Sequence, residues 1–439
     1  MNMKKIFLYI VIAAIAVSCK PEIEDFVPSK GDADFSKYVS LGNSITAGYM
    51  DGALYKSGQE FAYPNILAKQ FKLVGGGEFV QPVVNSEIGV LPGKMILGYK
   101  TDCAGVTALS PLLATGTLDA STISYTVNNL GVPGAKSFHL LTPGYGSLNP
   151  YYKRFATNLA TSKVIDEVAK VNPNFFTLWI GNNDVLTYAT SGGAIDSITN
   201  PAAYQVYMTN IIAALKANGA KGAVATIPDI TSIPFFTTVP YNALVLKDIN
   251  QVNALNAAYH PVNVVLQSFG LDTLAFRLGA NAFVIEDPTS PLPAPYKFRQ
   301  IKSTELITLT VPRDSISCKG WGSQKPIPHR FVLDNSEITA IKSAVSSYNT
   351  TITSLANSNG LALVDINKYF SDAKSGIYFD GIKFSSAFIT GGLFSLDGVH
   401  PSARGQAIIA NYFIKAINAK YNAQIPYVNI NDYPGLKFP

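Results

Sequence analysis

A serine, an aspartate and a histidine stand in sequence contexts that suit nucleophilic catalysis. Ser44 comes two residues after Gly42, which ends a strand-like run over Tyr38–Leu41. A hydroxyl there would lie at the edge of a sheet, where open α/β folds bind their ligands. Asp397 precedes His400 by three residues, so its carboxylate can reach the imidazole Nδ1 and orient a general base. Taken separately, Ser44 could cap a helix and Asp397 could cap a surface turn.

Two further stretches could supply hydrogen-bond donors to a developing oxyanion. Asn182–Asp184 follows a buried strand-like run and carries side-chain N–H groups. Gly131–Gly134 follows another such run and exposes backbone that a ligand can approach closely. For the first stretch the alternative is an Asx-turn that caps a helix. Because the carboxyl ends of parallel strands share one edge of a sheet, we expect these stretches to meet Ser44 there.

The elements that must position these residues alternate between strand-like and helix-like segments, which is typical of a parallel sheet covered on both faces. The clearest helix carries an apolar stripe from Ile338 to Leu355, with Asp334 and Glu337 as a capping box and Gly360 as its end. We predict five core strands at Tyr38–Leu41, Tyr125–Leu130, Phe175–Ile180, Gly222–Ile227 and Leu361–Asp365, and further helices over about 162–171, 201–218 and 404–420.

Together the motifs resemble those of the SGNH (GDSL) hydrolase family. Gly42–Ile45 matches the nucleophile block, with Asn43 in place of the usual Asp. Gly134 matches the glycine of the second block, Gly181–Asp184 the G-x-N-D block and Asp397–Pro401 the D-x-x-H-P block. The resemblance implies an α/β fold, a flavodoxin-like three-layer α/β/α sandwich whose parallel five-stranded sheet has the order 2-1-3-4-5.

The same resemblance implies a role for each residue. Ser44 would be the nucleophile, His400 the general base and acid, and Asp397 the orienting acid. The oxyanion donors would be the backbone N–H groups of Ser44 and Gly134 and the side chain of Asn183. We expect the Asn43 departure to change only how the Ser44 loop is held. An α/β-hydrolase elbow is disfavoured, because G-x-S-x-G would require glycine where Thr46 stands.

The N-terminal residues indicate export. Two lysines precede an apolar run, Ile6–Val17, that is too short to span a bilayer. Ala16–Cys19 resembles a bacterial lipobox, which implies lipid on Cys19 and a location at the outer membrane, on its periplasmic face or at the cell surface. A plain secretory signal or a short anchor are the alternatives. We therefore expect a signal peptide at 1–18, a tether at 19–35, the hydrolase domain at 36–425 with irregular, Pro/Gly-rich insertions near 49–124 and 228–333, and a C-terminal tail at 426–439.

The composition fits a packed globular protein, with 11% aromatic and 14% charged residues. Without Lys4 and Lys5, 32 basic residues face 29 acidic ones, so the formal charge falls from +5 to +3 and no nucleic-acid partner is expected. Cys103 and Cys318 both fall in the insertions, and an exported chain permits a disulfide between them, although no spacing pattern requires one. The histidines are far apart and no Cys/His cluster has zinc spacing, so we expect neither a metal nor a cofactor.

The activity that the resemblance implies is that of a serine ester hydrolase, of carboxylesterase or lipase type, acting on a small-molecule, glycan or lipid ester through an acyl-enzyme. A carbohydrate O-acetylesterase is the second interpretation, and a non-catalytic lipid-anchored binding protein on the same scaffold is the third. We expect the insertions to border the substrate groove. His139 and His260 are expected to be structural, and His329 a loop residue. Several aromatic residues belong either to the core or to an acyl pocket: Phe235, Phe236, Tyr241, Phe379, Phe384, Phe388 and Phe394.

Overall fold

Five parallel strands form the central sheet of the computed structural model, which describes residues 26–90, 92–119 and 121–439. The predicted signal peptide and Cys19 lie outside the described residues. In chain order the strands are β1 (Tyr38–Gly42), β2 (Asn129–Gly131), β3 (Phe175–Trp179), β4 (Lys221–Ala225) and β5 (Ala362–Val364). They lie side by side in the order β2-β1-β3-β4-β5, and every neighbouring pair is parallel. This confirms the predicted flavodoxin-like order 2-1-3-4-5.

Helices cover both faces of this sheet, which gives the predicted three layers. On one face α12 packs against α3, β4 and β5, and on the other α10 packs against α5, α6, β4 and β5. The capping box expected for α10 is confirmed, since Asp334 and Glu337 each accept the other's backbone N–H. The helices are α1 (Ser44–Ala47), α2 (Lys56–Glu60), α3 (Tyr63–Lys72), α4 (Asp166–Val171), α5 (Asn183–Thr190), α6 (Pro201–Leu215), α7 (Pro234–Thr237), α8 (Ile249–Ser268), α9 (Arg313–Lys319), α10 (Asn335–Ser358), α11 (Ile366–Ala373) and α12 (Ala403–Tyr421).

The second predicted strand is shorter than the sequence indicated. We expected Tyr125–Leu130, whereas β2 begins at Asn129. The N–H groups of Asn128 and Asn129 both donate to the Val80 carbonyl, at 2.7 and 3.2 Å, so they are not available to a sheet ladder. Tyr125 is half exposed. The helix predicted from 162 likewise starts only at Asp166, whose side chain first caps a turn by accepting the Lys163 N–H.

The first insertion is more regular than its sequence suggested. Within 49–124, α3 buries Tyr63, Ile66 and Leu67 in the main hydrophobic core, and Pro64 stands in its first turn, where proline is tolerated. The insertion also contains α2 and an antiparallel hairpin of Met95–Thr101 with Thr107–Leu113. The expectation of an irregular segment was therefore wrong for these residues.

The second insertion, 228–333, builds two small hydrophobic clusters of its own beside the main core. One is centred on α8 and contains Leu246, Val252 and Leu255, and the other contains Phe283 and Ile285. Here too the expectation of an irregular segment was wrong, because α7, α8 and α9 lie within it. Its two-stranded ribbons are Leu244–Leu246 with Gly279–Asn281, Val284–Glu286 with Phe298–Gln300, and Leu306–Ile307 with Val332–Leu333, and a further ribbon outside it joins Ile377–Phe379 to Ile382–Phe384.

A disulfide bond joins the two insertions. Cys103, in the turn of the first hairpin, is bonded to Cys318 in α9, although the two residues are 215 positions apart. The bridge that the sequence left open is therefore present, and it fixes the hairpin against α9.

Both chain ends that we expected to be tether and tail pack partly on the domain. Ser29 pairs with Gln424, and the Phe35 ring stacks on Phe71 at 4.1 Å between centroids. In the C-terminal segment Ile430 is fully buried. The folded unit thus includes residues on both sides of the predicted 36–425. None of the helices in the described ranges has the length and apolar character needed to cross a bilayer.

Candidate active site

Ser44 lies at the carboxyl end of the central strand β1, as the first residue of the four-residue helix α1. The preceding Asn43 caps that helix, because its Oδ1 accepts the Ile45 N–H at 3.1 Å. At Gly42 a Cβ would fall 2.2 Å from Thr46 Oγ1 and 2.5 Å from the Trp179 carbonyl. Only glycine therefore allows the chain to turn here and place the Ser44 hydroxyl at the edge of the sheet.

The Asn43 side chain also connects the Ser44 loop to the next strand. Its Nδ2 donates to Asn182 Oδ1 at 3.1 Å, across a distance of 139 residues in the sequence. Asn43 is almost completely buried, so this pair is shielded from water. The amide at this position thus holds the Ser44 loop through two contacts, one within the loop and one with the end of β3.

His400 and Asp397 meet Ser44 as the sequence predicted. His400 Nε2 lies 2.8 Å from Ser44 Oγ, and His400 Nδ1 lies 2.8 Å from Asp397 Oδ2. Asp397 and His400 both come from the loop before α12. His400 lies 356 residues after Ser44 in the sequence. When Asp397 accepts the Nδ1 proton, Nε2 is left unprotonated and can take the proton of the Ser44 hydroxyl.

The surroundings of Asp397 keep it ionised. Burial alone would raise the pKa of this carboxyl, but the charge and hydrogen bond of His400 and the N–H groups of His400 and Val399 outweigh burial and lower the pKa to about 2. The two N–H groups donate to Asp397 Oδ1 at 2.8 and 2.9 Å. The carboxylate therefore stays negative throughout the pH range in which an imidazole can act as a base.

The loop that carries Asp397 is held by a tight turn that follows Ser44, a contact that the sequence did not indicate. Gly52 N–H donates to Asp397 Oδ2 at 2.9 Å, and Asp51 N–H donates to Ser395 Oγ at 2.9 Å. Ser395 in turn donates to Asp397 Oδ1 at 3.1 Å. Asp51 and Gly52 both have positive φ, at 52° and 79°. The Asp-Gly dipeptide is a strong signal for such a turn, so the turn itself was readable from the sequence.

The Asp51 side chain strengthens this connection. Its Oδ1 accepts the Leu396 N–H at 3.0 Å, and its Oδ2 accepts the Tyr55 hydroxyl at 2.7 Å. Burial raises the pKa of Asp51, and the nearby negative charge of Asp397 raises it further. The two hydrogen bonds lower this pKa but do not outweigh burial. Asp51 thus fixes the backbone immediately before Asp397 without contacting Ser44 or His400 in any hydrogen bond of the described residues.

The predicted oxyanion donors follow three adjacent strand ends. Gly42 of β1 is in register with Gly131 of β2 and with Trp179 of β3. Within the described ranges, the N–H groups of Ser44 and Gly134 donate to no protein acceptor. Gly134 has φ of +79°, and its N–H is free to face a ligand.

The third predicted donor is fixed by its neighbours. Asn183 is buried, and its Nδ2 donates to the Ala135 carbonyl at 2.9 Å, which leaves its second amide proton for another acceptor. Asp184 accepts both the N–H and the hydroxyl of Ser137, at 2.9 and 2.6 Å. The Asn183–Asp184 pair therefore holds the segment after β2 in place beside Ser44.

A cavity of about 460 Å³ opens beside His400. The Tyr49 ring, 4.7 Å from the His400 ring, forms part of its wall. Both insertions contribute to its lining, the first through the hairpin that carries Met95 and the second through Phe235 and Leu309. The expectation that the insertions border the site is met at this cavity.

The aromatic residues divide between the two interpretations that the sequence left open. Phe235 and Phe388 line the cavity beside His400. In contrast, Phe236, Phe384 and Phe394 are buried in the main core, Phe379 packs against that core, and Tyr241 packs in a cluster of the second insertion.

Among the described residues, no hydrogen bond joins the other histidines to Ser44, Asp397 or His400. His139 Nδ1 accepts the Lys136 N–H at 3.0 Å, and its ring stacks on Tyr145 at 4.4 Å. His260 is exposed on α8. His329 lies in a 3-10 turn (His329–Phe331), with Nε2 3.1 Å from Glu337 Oε1.

His329, Asp334 and Glu337 form a group whose ligand atoms lie within 4.8 Å of one another. Because the oxygens of Asp334 and Glu337 accept the N–H groups that begin α10, this group is accounted for as a helix cap.

A parallel α/β sandwich with Ser44, Asp397 and His400 joined by hydrogen bonds at its strand ends has the geometry of a serine hydrolase. A sequence model of the family "GDSL-like Lipase/Acylhydrolase" matches residues 38–413. The chain therefore belongs to this family of ester-hydrolysing enzymes. Among curated proteins none matches the sequence.

Three solved structures are similar over most of their length. A lipase/acylhydrolase from Enterococcus faecalis is 12% identical, with a TM-score of 0.34 and coverage of 89% of this chain and 98% of that one. A putative GDSL-like lipase from Parabacteroides merdae is 10% identical, with a TM-score of 0.36 and coverage of 89% and 99%. An extracellular lipase from Streptomyces rimosus is 12% identical, with a TM-score of 0.33 and coverage of 88% and 98%.

Proposed function

We propose that this enzyme hydrolyses acyl esters in two steps through an acyl-enzyme on Ser44. The observation that carries the proposal is the 2.8 Å contact between Ser44 Oγ and His400 Nε2, with Asp397 2.8 Å from the other ring nitrogen. Ser44 Oγ attacks the ester carbonyl while its proton passes to Nε2. The protonated His400 then gives this proton to the departing alcohol, which leaves the acyl group on Ser44.

The second step repeats the first with water as the nucleophile. His400 Nε2 removes a proton from water, the resulting hydroxide attacks the acyl carbon, and Ser44 leaves with the proton held on the imidazole. In both steps Asp397 keeps the imidazole in one orientation and stabilises its positive charge. The free N–H groups of Ser44 and Gly134 and the second amide proton of Asn183 are the donors for the negative oxygen that develops.

The cavity beside His400 favours substrates with a hydrocarbon acyl chain over acetylated sugars. Its wall includes Met95, Phe235, Leu309 and Phe388, which would contact hydrocarbon and not hydroxyl groups. A carbohydrate O-acetylesterase is the alternative. Strict preference for acetyl over hexanoyl and longer chains would favour it.

The test uses the full chain in detergent, with 4-nitrophenyl acetate, butyrate and octanoate and an acetylated sugar as substrates. We expect Ser44→Ala and His400→Ala each to lose on the order of 10⁶ in kcat, as in another serine hydrolase. Ser343→Ala on the exposed face of α10 is the matched control and should keep wild-type rates. Equal hydrolysis by wild type and Ser44→Ala would overturn the proposal, and absence of hydrolysis in both would favour the non-catalytic binding protein.

We further propose that the enzyme is an exported lipoprotein of the outer membrane, anchored through lipid on Cys19. The lipobox-like Ala16–Cys19 supports this, and so does the disulfide, because such bonds persist in oxidising compartments. Incorporation of labelled palmitate into the full chain, and its loss in Cys19→Ser, is the expected result. Equal labelling of the two proteins, or none in either, would contradict it.

A further inference from the structure

We propose that the cavity beside His400 selects esters that carry an anionic group, and that Lys100 and Arg313 bind this anion. The inference rests on the proposed ester hydrolysis and names the class of substrate. It begins from the charged side chains that line the cavity, which are Asp397, His400, Lys100 and Arg313. Asp397 and His400 are hydrogen-bonded to each other at 2.8 Å. The charged groups of the cavity that remain for a ligand are therefore Lys100 and Arg313, which are both positive.

Arg313 is a free cation with respect to the described part of the chain. It is exposed, and no ion pair or side-chain hydrogen bond joins it to another described residue. The nearest carboxylate to Lys100 is that of Asp314, at 3.9 Å between two partly exposed side chains. An exposed ion pair at this distance contributes little stabilising free energy, so Lys100 is also available to a ligand.

The two cations belong to different insertions that the disulfide ties together. Lys100 lies in the hairpin strand Met95–Thr101, three residues before Cys103. Arg313 is the first residue of α9, five residues before Cys318. The Cys103–Cys318 bond therefore holds the two elements that carry the positive charges against each other at one cavity.

The rest of the cavity wall determines what kind of anion fits. Met95, Pro111, Phe235, Leu309 and Phe388 make much of the wall apolar. A ligand that fits this wall would thus combine an apolar part with a negatively charged group. A guanidinium presents paired donors that match a carboxylate or a phosphate, and charge-assisted hydrogen bonds of this kind are among the strong ones.

The anion could be on either side of the scissile bond, and two pairs of probes distinguish the sources. For the acyl side the pair is mono-4-nitrophenyl glutarate and neutral 4-nitrophenyl pentanoate. For the alcohol side it is the butyrate ester of 4-hydroxybenzoate and the same ester of methyl 4-hydroxybenzoate. In each pair the ratio of kcat/KM for the anionic ester to that for the neutral ester is the measured quantity.

We expect Arg313→Gln to lower this ratio about tenfold in at least one pair, which is the lower range for a hydrogen bond to a charged group. Arg313→Lys should restore part of the ratio, because the charge remains. Lys319→Gln removes the same charge from the same short helix but lies outside the cavity lining, so it is the matched control and should leave both rates unchanged. Raising the salt concentration should reduce the wild-type ratio more than that of Arg313→Gln, which keeps only the positive charge of Lys100 at the cavity.

The outcomes separate this inference from the proposed function. An unchanged ratio in Arg313→Gln for both pairs, or an equal fall in Lys319→Gln, would overturn the anion site while leaving ester hydrolysis intact. If wild type hydrolyses neither the neutral nor the anionic esters, the proposed function fails, and the inference fails with it.

Discussion

Gly52 N–H donates to Asp397 Oδ2 at 2.9 Å, and the same oxygen lies 2.8 Å from His400 Nδ1. The turn that follows Ser44 in the sequence thus holds Asp397 in place, although Asp397 lies 345 residues after Gly52. Ser44 and His400, the proposed nucleophile and base, come from opposite ends of the polypeptide, and this turn holds one loop against the other. The proposed site therefore depends on a few backbone contacts as well as on the side chains of Ser44, Asp397 and His400.

Asp51→Ala should lower kcat by up to about 10²-fold, with a smaller effect on KM. The substitution removes the acceptors for Leu396 N–H and the Tyr55 hydroxyl and puts alanine at a positive φ, so the Asp397 loop shifts, and small misplacements at an active site have effects of this size. Asp51→Asn keeps one acceptor and tolerates the same backbone, and should restore most of the activity. Steady-state kinetics with a neutral ester, together with thermal unfolding, checks this. Equal losses in the two variants would show that charge and not position is what matters at residue 51.

Asn43→Asp should retain activity within a few-fold, whereas Asn43→Ala should lose both activity and stability. A carboxylate can still accept the Ile45 N–H, and the Asn182 amide can turn to donate to it. Alanine removes the cap of α1, which costs about 0.5–2 kcal/mol. It also leaves Asn182 Oδ1 buried without its partner. The measurements are kcat and the free energy of unfolding in urea. If Asn43→Asp proves as damaging as Asn43→Ala, the two contacts of Asn43 are not what holds the Ser44 loop.

Asn183→Ala should lower kcat by about 10²–10³-fold, the usual effect of removing one oxyanion donor. Since Asn183 Nδ2 also donates to the Ala135 carbonyl at 2.9 Å, part of the loss will come from movement of that segment. Asn183→Asp fills the same space but offers no N–H when ionised, so it should not restore the rate. Comparison of kcat for the three proteins on one neutral ester checks the prediction. Wild-type turnover in Asn183→Ala would remove Asn183 from the site.

The stability of the protein should decline as the pH falls from about 6.5 to about 4, in part through His139. Burial, and then the charge of Lys136, lower the pKa of His139 from 6.5 to about 4. In this window the unfolded chain binds a proton that the folded chain does not, so stability is full above pH 6.5 and is lost progressively below it. Protonation would also destroy the acceptor for the Lys136 N–H. His139→Gln should therefore weaken the dependence of the free energy of unfolding on pH in this window. His260→Gln, at an exposed position on α8, should leave that dependence unchanged. The same acid slope in His139→Gln and wild type would contradict the assignment.

The sequence itself was sufficient to predict the meeting of Ser44, Asp397 and His400, whereas the sheet order followed from the resemblance to the hydrolase family. These residues stand at strand ends, and the carboxyl ends of parallel strands share one edge whatever lies between them. The capping box of α10 was equally readable, because Asp334 and Glu337 act within four residues of each other.

What the sequence did not indicate depends on contacts between distant segments. β2 starts at Asn129 because Val80, from the first insertion, accepts the N–H groups before it. The helix α3 was overlooked because much of its apolar face packs against α12, more than three hundred residues later. The hydrogen bond from Leu396 N–H to Asp51 has the same origin. The sequence indicated the Asp-Gly turn, but it did not indicate that Leu396 contacts this turn.

The role of Ser44 is tested most directly by treating the full chain with a fluorophosphonate and locating the modified residue by mass spectrometry. We expect one modification per chain, on Ser44, with none in Ser44→Ala and a much slower reaction in His400→Ala, because the imidazole 2.8 Å away makes the hydroxyl nucleophilic. Labelling of Ser44→Ala at the wild-type rate, or modification of a different serine in the wild-type protein, would contradict it.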